Sequence, residues 1–200
     1  MQILVFGGTF SPPHLGHQLM VDQVLSQPLP RGVQVDQVWL LPVGQHSFAK
    51  KFVAKEHRLA MLDLLSQNLI KKKPELIGKI LLERYEIDRD GESQTYTTLE
   101  ALAVSHPEHH FSFLIGSDNL EKFHLWNNYK LMLQKYPFYV YPRQGFDFSP
   151  FYEGMTALAD FPQAAVSSTQ VRFALQAGEN LEGLLDFSII DYIKKQQLFT

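Results

Sequence analysis

A short apolar run that is followed at once by two glycines constrains the fold of this chain more than any other feature. Residues 3 to 6 read Ile-Leu-Val-Phe, and Gly7 and Gly8 come directly after them. A continuous apolar run of this length is typical of a strand that is buried on both faces of a parallel sheet. The glycines let the backbone turn tightly and approach a ligand without a side chain in the way. We therefore expect this strand to lie inside an α/β domain.

A helix is predicted to follow the glycine turn. Ser11 is a suitable N-cap and Pro12 suits the first helical position, so the helix should run from near Pro12 to about Gln27. His14 and His17 would then share one face of the first turns, beside unpaired backbone N–H groups. Such a surface suits an anion such as phosphate. The alternative to an anion site is that the strand, turn and helix are ordinary α/β scaffolding. A zinc site at the two histidines is disfavoured because the chain has no cysteine and no third ligand at a recognisable spacing.

The composition limits the classes of protein to which the chain can belong. Its 200 residues suffice for one substantial core, and 45% hydrophobic with 20% charged residues is ordinary for a soluble globular protein. A formal charge of -3 argues against a general nucleic-acid binder. The lack of cysteine excludes disulfides and thiol catalysis, and the N-terminus enters a strand instead of a signal peptide. We expect a cytoplasmic protein, with neither a membrane nor a nucleic-acid polymer as partner.

The alternation of apolar segments and helical patterns predicts a Rossmann-like open parallel sheet flanked by helices, with a small C-terminal helical part. Further strands are expected at residues 38–43, 80–87, 111–115, 138–141 and 164–166, and further helices at residues 55–70, 95–105, 167–178 and 184–198. Residues 146–161 have no clear period and are interpreted as a long connection over one side of the sheet. Residues 1–200 are predicted to be a single domain, with a core at 1–165 and a C-terminal helical segment at 166–200.

Several polar segments follow predicted strands, at the sheet edge where open α/β proteins bind ligands. The loop at residues 44–54 carries Lys50, which is a candidate for contacting phosphate groups or, alternatively, solvated surface. Gly116 and Asp118 follow the strand at 111–115, where a carboxylate can hold a ribose hydroxyl, lie beside a metal-bound phosphate, or only cap a helix. Trp126 lies in a polar neighbourhood, where it can stack on a flat ring or pack in the core.

A second helix start is also suited to anions. Ser167 and Gln170 have the spacing of a capping box, so a helix should begin there. Ser168 and Thr169 add hydroxyl groups to its N-terminus, and Arg172 supplies a fixed cation.

Both helix starts resemble known signatures. Residues 7–17, Gly-Gly-Thr-Phe-Ser-Pro-Pro-His-Leu-Gly-His, closely resemble the T/HxGH signature of nucleotidyltransferases, and residues 167–172 look like its partner motif I-S-S-T-x-I-R. Between them, four features look like those of the nicotinate-nucleotide adenylyltransferases: Thr95 with Thr98-Leu99 (Y-T-x-x-T-L), residues 113–118 (F-I-I-G-x-D), Trp126 (a pocket tryptophan) and residues 142–146 (P-R-x-G-aromatic). The resemblance covers nearly the whole chain.

This resemblance implies an enzyme of NAD biosynthesis that transfers AMP from ATP to nicotinate mononucleotide and releases pyrophosphate. The motifs supply no protein nucleophile beside a general base, so direct in-line attack on the α-phosphorus is the simpler route. His14, His17 and Arg172 are then the catalytic residues, and His17 stabilises the charge that builds up on the α-phosphoryl group. Mg²⁺ is the expected cofactor, carried by the ATP phosphates and not by protein ligands.

The other site residues are divided between the two substrates. ATP binding is assigned to Gly7, Gly8, Thr9, Phe10, Gly116, Asp118, Ser168 and Thr169. Acceptor binding is assigned to Thr95, Trp126, Lys50 and Arg143, with Trp126 stacked on the pyridine ring and Thr95 facing its carboxylate.

Two departures from the family pattern fall where the acceptor would bind. Gln94 stands in place of the usual aromatic residue, and residues 44–51 replace the common P-P-H-K loop. An adenylyltransferase for nicotinamide mononucleotide or another phosphorylated acceptor is therefore an open alternative, as is a non-catalytic nucleotide-binding domain. A homo-oligomer is likewise left open.

Overall fold

A parallel sheet forms the centre of the molecule. The structure is a computed structural model that describes residues 1–44, 53–89 and 91–199. Within these residues one sheet contains β1 Gln2–Gly8, β2 Gln37–Pro42, β3 Ile80–Leu82, β4 His110–Gly116, β5 Phe138–Tyr141 and β6 Met155–Ala157. The strand order is β3-β2-β1-β4-β5-β6 and each neighbouring pair is parallel. This is the doubly wound order of a Rossmann-like fold, as predicted.

Helices cover both faces of the sheet. They are α1 Leu15–Ser26, α2 Lys55–Lys72, α3 Thr95–Ser105, α4 Tyr129–Lys135, α5 Ser168–Ala177 and α6 Phe187–Gln196, with short 3-10 helices at Pro30–Gly32, Pro74–Leu76 and Ser117–Leu125. Along β1, Leu4 and Phe6 join the core under α1, α2, α5 and α6, whereas Ile3 and Val5 join the core under α3 and α4. The first strand is therefore buried on both faces, as its sequence predicts. Across the described ranges, no helix combines the length and the apolarity needed to cross a membrane.

The first helix begins later than predicted. Ser11 and Pro12 are not its cap and first residue, because α1 begins at Leu15 with His14 in the extended conformation before it. A residue that precedes proline is pushed out of the helical region, and Pro13 imposes this on Pro12. The carbonyl oxygens of Ser11 and Pro12 accept hydrogen bonds from Arg172 and Ser168 instead. The segment between strand and helix is thus held by the second motif.

The third strand is shorter than the apolar pattern suggests. The prediction of residues 80–87 was wrong beyond Leu82, after which the chain turns. The Glu83 carboxylate accepts a hydrogen bond from the backbone N–H of Tyr85 at 2.8 Å, which favours a turn over a strand. Arg84 and Asp88 then pair at 2.7 Å across this turn. As a result, Glu86 is directed towards the cleft described below.

Three predictions for the C-terminal half also need correction. Residues 146–161 are a connection that contains the edge strand β6, which is too short to show a period in the sequence. Residues 164–166 form a single bridge at Ala164 and no strand, because the carbonyl oxygen of Val166 accepts a hydrogen bond from the Arg143 side chain. The last helix begins at Phe187, after Asp186, whose carboxylate accepts from the backbone N–H of Ser188.

Candidate active site

A cleft of about 530 Å³ opens at the carboxyl ends of β1, β2 and β4. The N-termini of α1, α3 and α5 border it, so backbone N–H groups and the positive ends of helix dipoles point towards it. It is lined by all of the predicted site residues except Phe10 and Lys50: Gly7, Gly8, Thr9, His14, His17, Thr95, Gly116, Asp118, Trp126, Arg143, Ser168, Thr169 and Arg172. Lys50 and most of its loop lie outside the described residues.

His14 and His17 form a stacked pair at the start of α1. Their ring centroids are 3.7 Å apart, with an angle of 27° between the ring planes. The backbone N–H of His14 donates to Nδ1 of His17 at 3.1 Å. Because Nδ1 is an acceptor in this bond, the proton of the neutral imidazole is on Nε2. His17 therefore offers an N–H donor to a ligand in the cleft.

Both imidazoles are neutral at physiological pH. Burial, together with the nearby charge of Arg143, lowers the pKa of His17 to about 3. Burial also lowers the pKa of His14 well below 6.5, and His17 and Arg143 contribute to this shift. Nδ1 of His14 is buried without a hydrogen-bond partner among the described residues. As neutral imidazoles, the two residues can bind an anion by donating hydrogen bonds, without carrying a positive charge.

Phe10 supports the histidine pair from beneath. It is fully buried, and its ring lies 4.9 Å from that of His17 and 5.5 Å from that of Phe6. Phe10 was assigned to ATP binding, but its side chain is packed in the core and Phe10 is not among the residues that line the cleft. On the other side of the pair, a Cβ on Gly16 would lie 2.9 Å from the carbonyl oxygen of Val166. Glycine at this position lets α1 approach the second motif closely.

The second motif closes the opposite wall of the cleft. Ser167 caps α5 by accepting from the backbone N–H of Gln170 at 3.2 Å, as predicted. Ser168 donates its hydroxyl to the carbonyl oxygen of Pro12 at 3.0 Å. Arg172 donates to the carbonyl oxygen of Ser11 at 2.8 Å and to Oγ1 of Thr169 at 3.0 Å. These bonds hold a guanidinium group and two helix starts around one space.

Arg143 lies on the floor of the cleft, between the two motifs. It is 8% exposed, donates from Nη2 to the carbonyl oxygen of Val166 at 2.7 Å, and places Nε 3.7 Å from Oδ1 of Asp118. Its charge acts on both histidines, which is reflected in their lowered pKa values. The sequence analysis assigned Arg143 to the acceptor. The structure places Arg143 in the same cleft as the histidine pair, and its assignment to the acceptor stays a prediction.

Thr95 and Trp126 also line the cleft, and their assignment to the acceptor stays a prediction. Thr95 is the first residue of α3, and Trp126 is partly buried with its ring 6.3 Å from that of Phe113. Gln94, which replaces the family's aromatic residue, accepts a hydrogen bond from Asn127 at 2.9 Å. This bond joins the start of α3 to the segment that carries Trp126.

Glu86 is a cleft residue that the sequence analysis missed. It is 5% exposed, and Oε1 accepts a hydrogen bond from Oγ1 of Thr98 at 2.7 Å. Burial raises the pKa of this carboxyl group, against the hydrogen bonds from Thr98 and Ser93. Ser93 also accepts from the backbone N–H of Gly44 at 2.8 Å. The available signal was the charged residues that interrupt the apolar pattern after Leu82, with Glu86 between Tyr85 and Ile87.

Arg58 is a second residue whose importance becomes visible only in the structure. It is 3% exposed on α2, and Nη1 donates to the carbonyl oxygens of Val43 at 2.7 Å and Thr9 at 3.1 Å. These two carbonyls follow β1 and β2, so Arg58 joins the two strand ends that border the cleft. An arginine within the first turn of an amphipathic helix was the available signal.

The donors in the cleft define its chemistry. They are imidazole N–H groups, hydroxyls, backbone N–H groups, the buried guanidinium group of Arg143 and the partly buried one of Arg172, all of which can bind phosphate oxygens. Asp118 and Glu86 are the carboxylates among the described cleft residues, and they do not form a metal-binding group with a third ligand there. The arrangement can bind a polyphosphate and stabilise negative charge on a phosphoryl group that is transferred.

This class of site agrees with the comparisons to known proteins. The family model described as "Cytidylyltransferase-like" matches residues 5–174. The chain therefore belongs to the cytidylyltransferase-like family of nucleotidyltransferases. Within it, the chain groups with the nicotinate-nucleotide adenylyltransferases. A Bacillus pumilus protein named "Probable nicotinate-nucleotide adenylyltransferase" is 34% identical, over 99% of this chain and 98% of that protein. One of the same name from Enterococcus faecalis is 33% identical, over 99% of this chain and 84% of that protein.

Solved structures agree on the fold. The chain superposes on Plasmodium falciparum nicotinic acid mononucleotide adenylyltransferase complexed with NaAD with a TM-score of 0.81. The superposition covers 99% of this chain and 97% of that chain, at 20% sequence identity. At this identity the likeness supports the Rossmann-like architecture, and the substrate has to be argued from the site.

Proposed function

We propose that this cleft transfers AMP from ATP to nicotinate mononucleotide, giving deamido-NAD and pyrophosphate. The observation that carries the proposal is the position of the neutral His14–His17 pair opposite Ser168, Thr169 and Arg172 in one cleft. The family to which the chain belongs and the names of its relatives support the same reaction. Thr95 and Trp126 line the same cleft, where they would contact a second, aromatic substrate.

In the proposed reaction, a phosphate oxygen of the mononucleotide attacks the α-phosphorus of ATP. The bond from the α-phosphorus to the bridging oxygen breaks, and pyrophosphate leaves with the electron pair. His17 donates its Nε2–H to an oxygen of the α-phosphoryl group, where negative charge increases in the transition state. Arg172 and Thr169 hold the departing phosphates, and Arg143 compensates charge between the two substrates. No side chain needs to become covalently attached.

Mg²⁺ fits this cleft as an ion carried by ATP. Magnesium in nucleotide enzymes is bound through one or two carboxylates together with substrate phosphates, and it neutralises charge on the leaving group. Of the described cleft carboxylates, Asp118 is partly exposed and Glu86 is buried against Thr98, so Asp118 is the one able to support such an ion. We propose no further protein ligand for it.

Acceptor recognition is proposed for the end of the cleft at α3. Trp126 would stack on the pyridine ring, and Thr95 with the free N–H groups of the α3 N-terminus would bind the ring carboxylate. A negatively charged group at a helix N-terminus is favoured over a neutral amide by the helix dipole. The cleft therefore favours nicotinate over nicotinamide mononucleotide.

A substrate panel tests this function. Purified protein with Mg-ATP is offered nicotinate mononucleotide, nicotinamide mononucleotide and phosphopantetheine in parallel, and pyrophosphate release is measured. Release with nicotinate mononucleotide at the highest kcat/KM is expected. Preference for the amide or for phosphopantetheine would overturn the choice of acceptor, and no release with any of them would favour a non-catalytic nucleotide-binding domain.

A further inference from the structure

We propose that His106, Glu108 and His109 bind a Zn²⁺ ion at the end of the sheet opposite the active-site cleft. Each of these side chains offers a ligand atom, and the three atoms lie within 4.8 Å of one another. They belong to the connection between the end of α3 at Ser105 and the start of β4 at His110. The proposed reaction makes no use of them.

The site is separate from the transfer chemistry. β4 starts at His110, beside the trio, and ends at Gly116, which lines the cleft. At about 3.3 Å per residue, this strand places the two sites roughly 20 Å apart. An ion at the trio would therefore act on the fold and would not contact ATP or its acceptor.

The distances suit an ion with short bonds. Nε2 of His109 lies 3.3 Å from Oε1 of Glu108, and Nδ1 of His106 lies 4.0 Å from the same oxygen. Tetrahedral Zn²⁺ with bonds of about 2.1 Å would hold its ligand atoms roughly 3.4 Å apart. The three ligand atoms lie within 4.8 Å of one another, so closing the trio around an ion requires His106, whose side chain is 40% exposed, to move by up to about 1.4 Å.

The imidazole rings of His106 and His109 are positioned by the residues around them. Their rings are nearly parallel, at 7°, and both pack edge-on against Trp39, with centroid distances of 5.1 Å and 6.0 Å. The backbone N–H of His109 donates to the carbonyl oxygen of His106 at 3.0 Å, which closes the turn. Nδ1 of His109 is enclosed by protein, so Nε2 is the nitrogen that faces Glu108. Positions fixed in this way lose little freedom when a metal binds.

The donor set selects the class of metal. Two imidazole nitrogens and one carboxylate oxygen match the ligands of Zn²⁺, whereas Mg²⁺ and Ca²⁺ prefer oxygen ligands alone. Three protein ligands leave a fourth position for water. The three ligands lie within four residues of the α3–β4 turn, and an ion that binds the folded turn more tightly than the unfolded chain would stabilise the folded protein.

Metal titration of the full chain tests the site. Protein stripped with EDTA and then freed of chelator is titrated with Zn²⁺ in a calorimeter, with excess Mg²⁺ present throughout. His106→Asn and Glu108→Gln change exposed or half-exposed side chains, so the variants should fold. Each substitution is expected to lower the affinity for one equivalent of Zn²⁺ by at least about tenfold. His110→Asn and His124→Asn, at exposed histidines outside the trio, are matched controls that should bind Zn²⁺ as the wild type does.

An optical signal locates the ion independently. Trp39 lies against both imidazoles, so a paramagnetic ion such as Co²⁺ in the site should quench its fluorescence, and this quenching should be lost in His106→Asn and in Trp39→Phe. The proposal is overturned if His106→Asn and Glu108→Gln bind Zn²⁺ like the wild type, if Mg²⁺ competes, or if Co²⁺ quenching is the same without Trp39.

Discussion

Arg172 donates a hydrogen bond of 2.8 Å to the carbonyl oxygen of Ser11, which lies 161 residues earlier in the chain. Ser168 makes the same kind of bond to Pro12 at 3.0 Å. The two motifs are therefore one unit in the folded protein, and a cation at the second is positioned by the backbone of the first. Positioning of this kind is what phosphoryl transfer requires from a protein.

Replacing His17 by alanine should remove much of the catalytic rate. The variant loses the Nε2–H donor, whose loss costs on the order of 3 kcal/mol of transition-state stabilisation, or roughly a hundredfold in kcat. Steady-state release of pyrophosphate measures this, with His124→Ala, at an exposed histidine, as the control. Full turnover in His17→Ala would exclude the assigned role.

Acid should destabilise the protein through His17. Its native pKa of about 3 lies below the value of 6.5 for an ordinary histidine, so between these values the unfolded chain binds a proton that the native protein does not. Stability contributed by the neutral group is thus lost as the pH falls below 6.5. Between pH 7 and pH 5 this amounts to about 2 kcal/mol.

Urea unfolding at both pH values, for the wild type and His17→Gln, measures this loss. The wild type should lose about 2 kcal/mol more unfolding free energy than the variant. Equal losses in the two proteins would show that His17 titrates normally in the native state.

Arg58→Met should weaken both the fold and ATP use. It leaves the carbonyl oxygens of Thr9 and Val43 without their guanidinium donor, and an unpaired buried polar group costs about 1–3 kcal/mol. Urea unfolding and kcat/KM for ATP are the measurements, and Arg31→Met at an exposed arginine is the control. If kcat/KM for ATP were unchanged at full stability, Arg58 would have no part in holding the cleft.

Substitutions at Glu86 should act on the acceptor and not on ATP. Glu86→Ala removes the oxygen that accepts from Thr98, beside Thr95, and should raise KM for the acceptor by roughly tenfold, equivalent to a lost hydrogen bond. Glu86→Gln keeps this acceptor oxygen and should stay near the wild-type value. An equal rise in KM for ATP would place Glu86 elsewhere in the mechanism.

The features that were predictable from the sequence are local ones. The unbroken apolar run at residues 3–6 predicts the first strand. The spacing of Ser167 and Gln170 predicts the start of α5. The two motifs, by their residue types, identified residues that line the cleft. Such signals need only neighbours in sequence.

The features that were missed depend on distant contacts. The late start of α1 reflects bonds to Ser11 and Pro12 from residues more than 150 positions away. Arg58 and Glu86 matter because of partners on other elements, which no local pattern reveals. His106, Glu108 and His109 are close in sequence, but that their ligand atoms lie within 4.8 Å of one another depends on the conformation of the α3–β4 turn.

The stereochemical course at the α-phosphorus tests the central claim most directly. In the proposed reaction the acceptor phosphate displaces pyrophosphate in one in-line step, with no covalent intermediate on the protein. With one diastereomer of ATP in which sulfur replaces a non-bridging oxygen on the α-phosphorus, and with nicotinate mononucleotide as acceptor, the product dinucleotide should show inversion at phosphorus. Retention would mean two successive displacements and a protein nucleophile, and it would contradict the account.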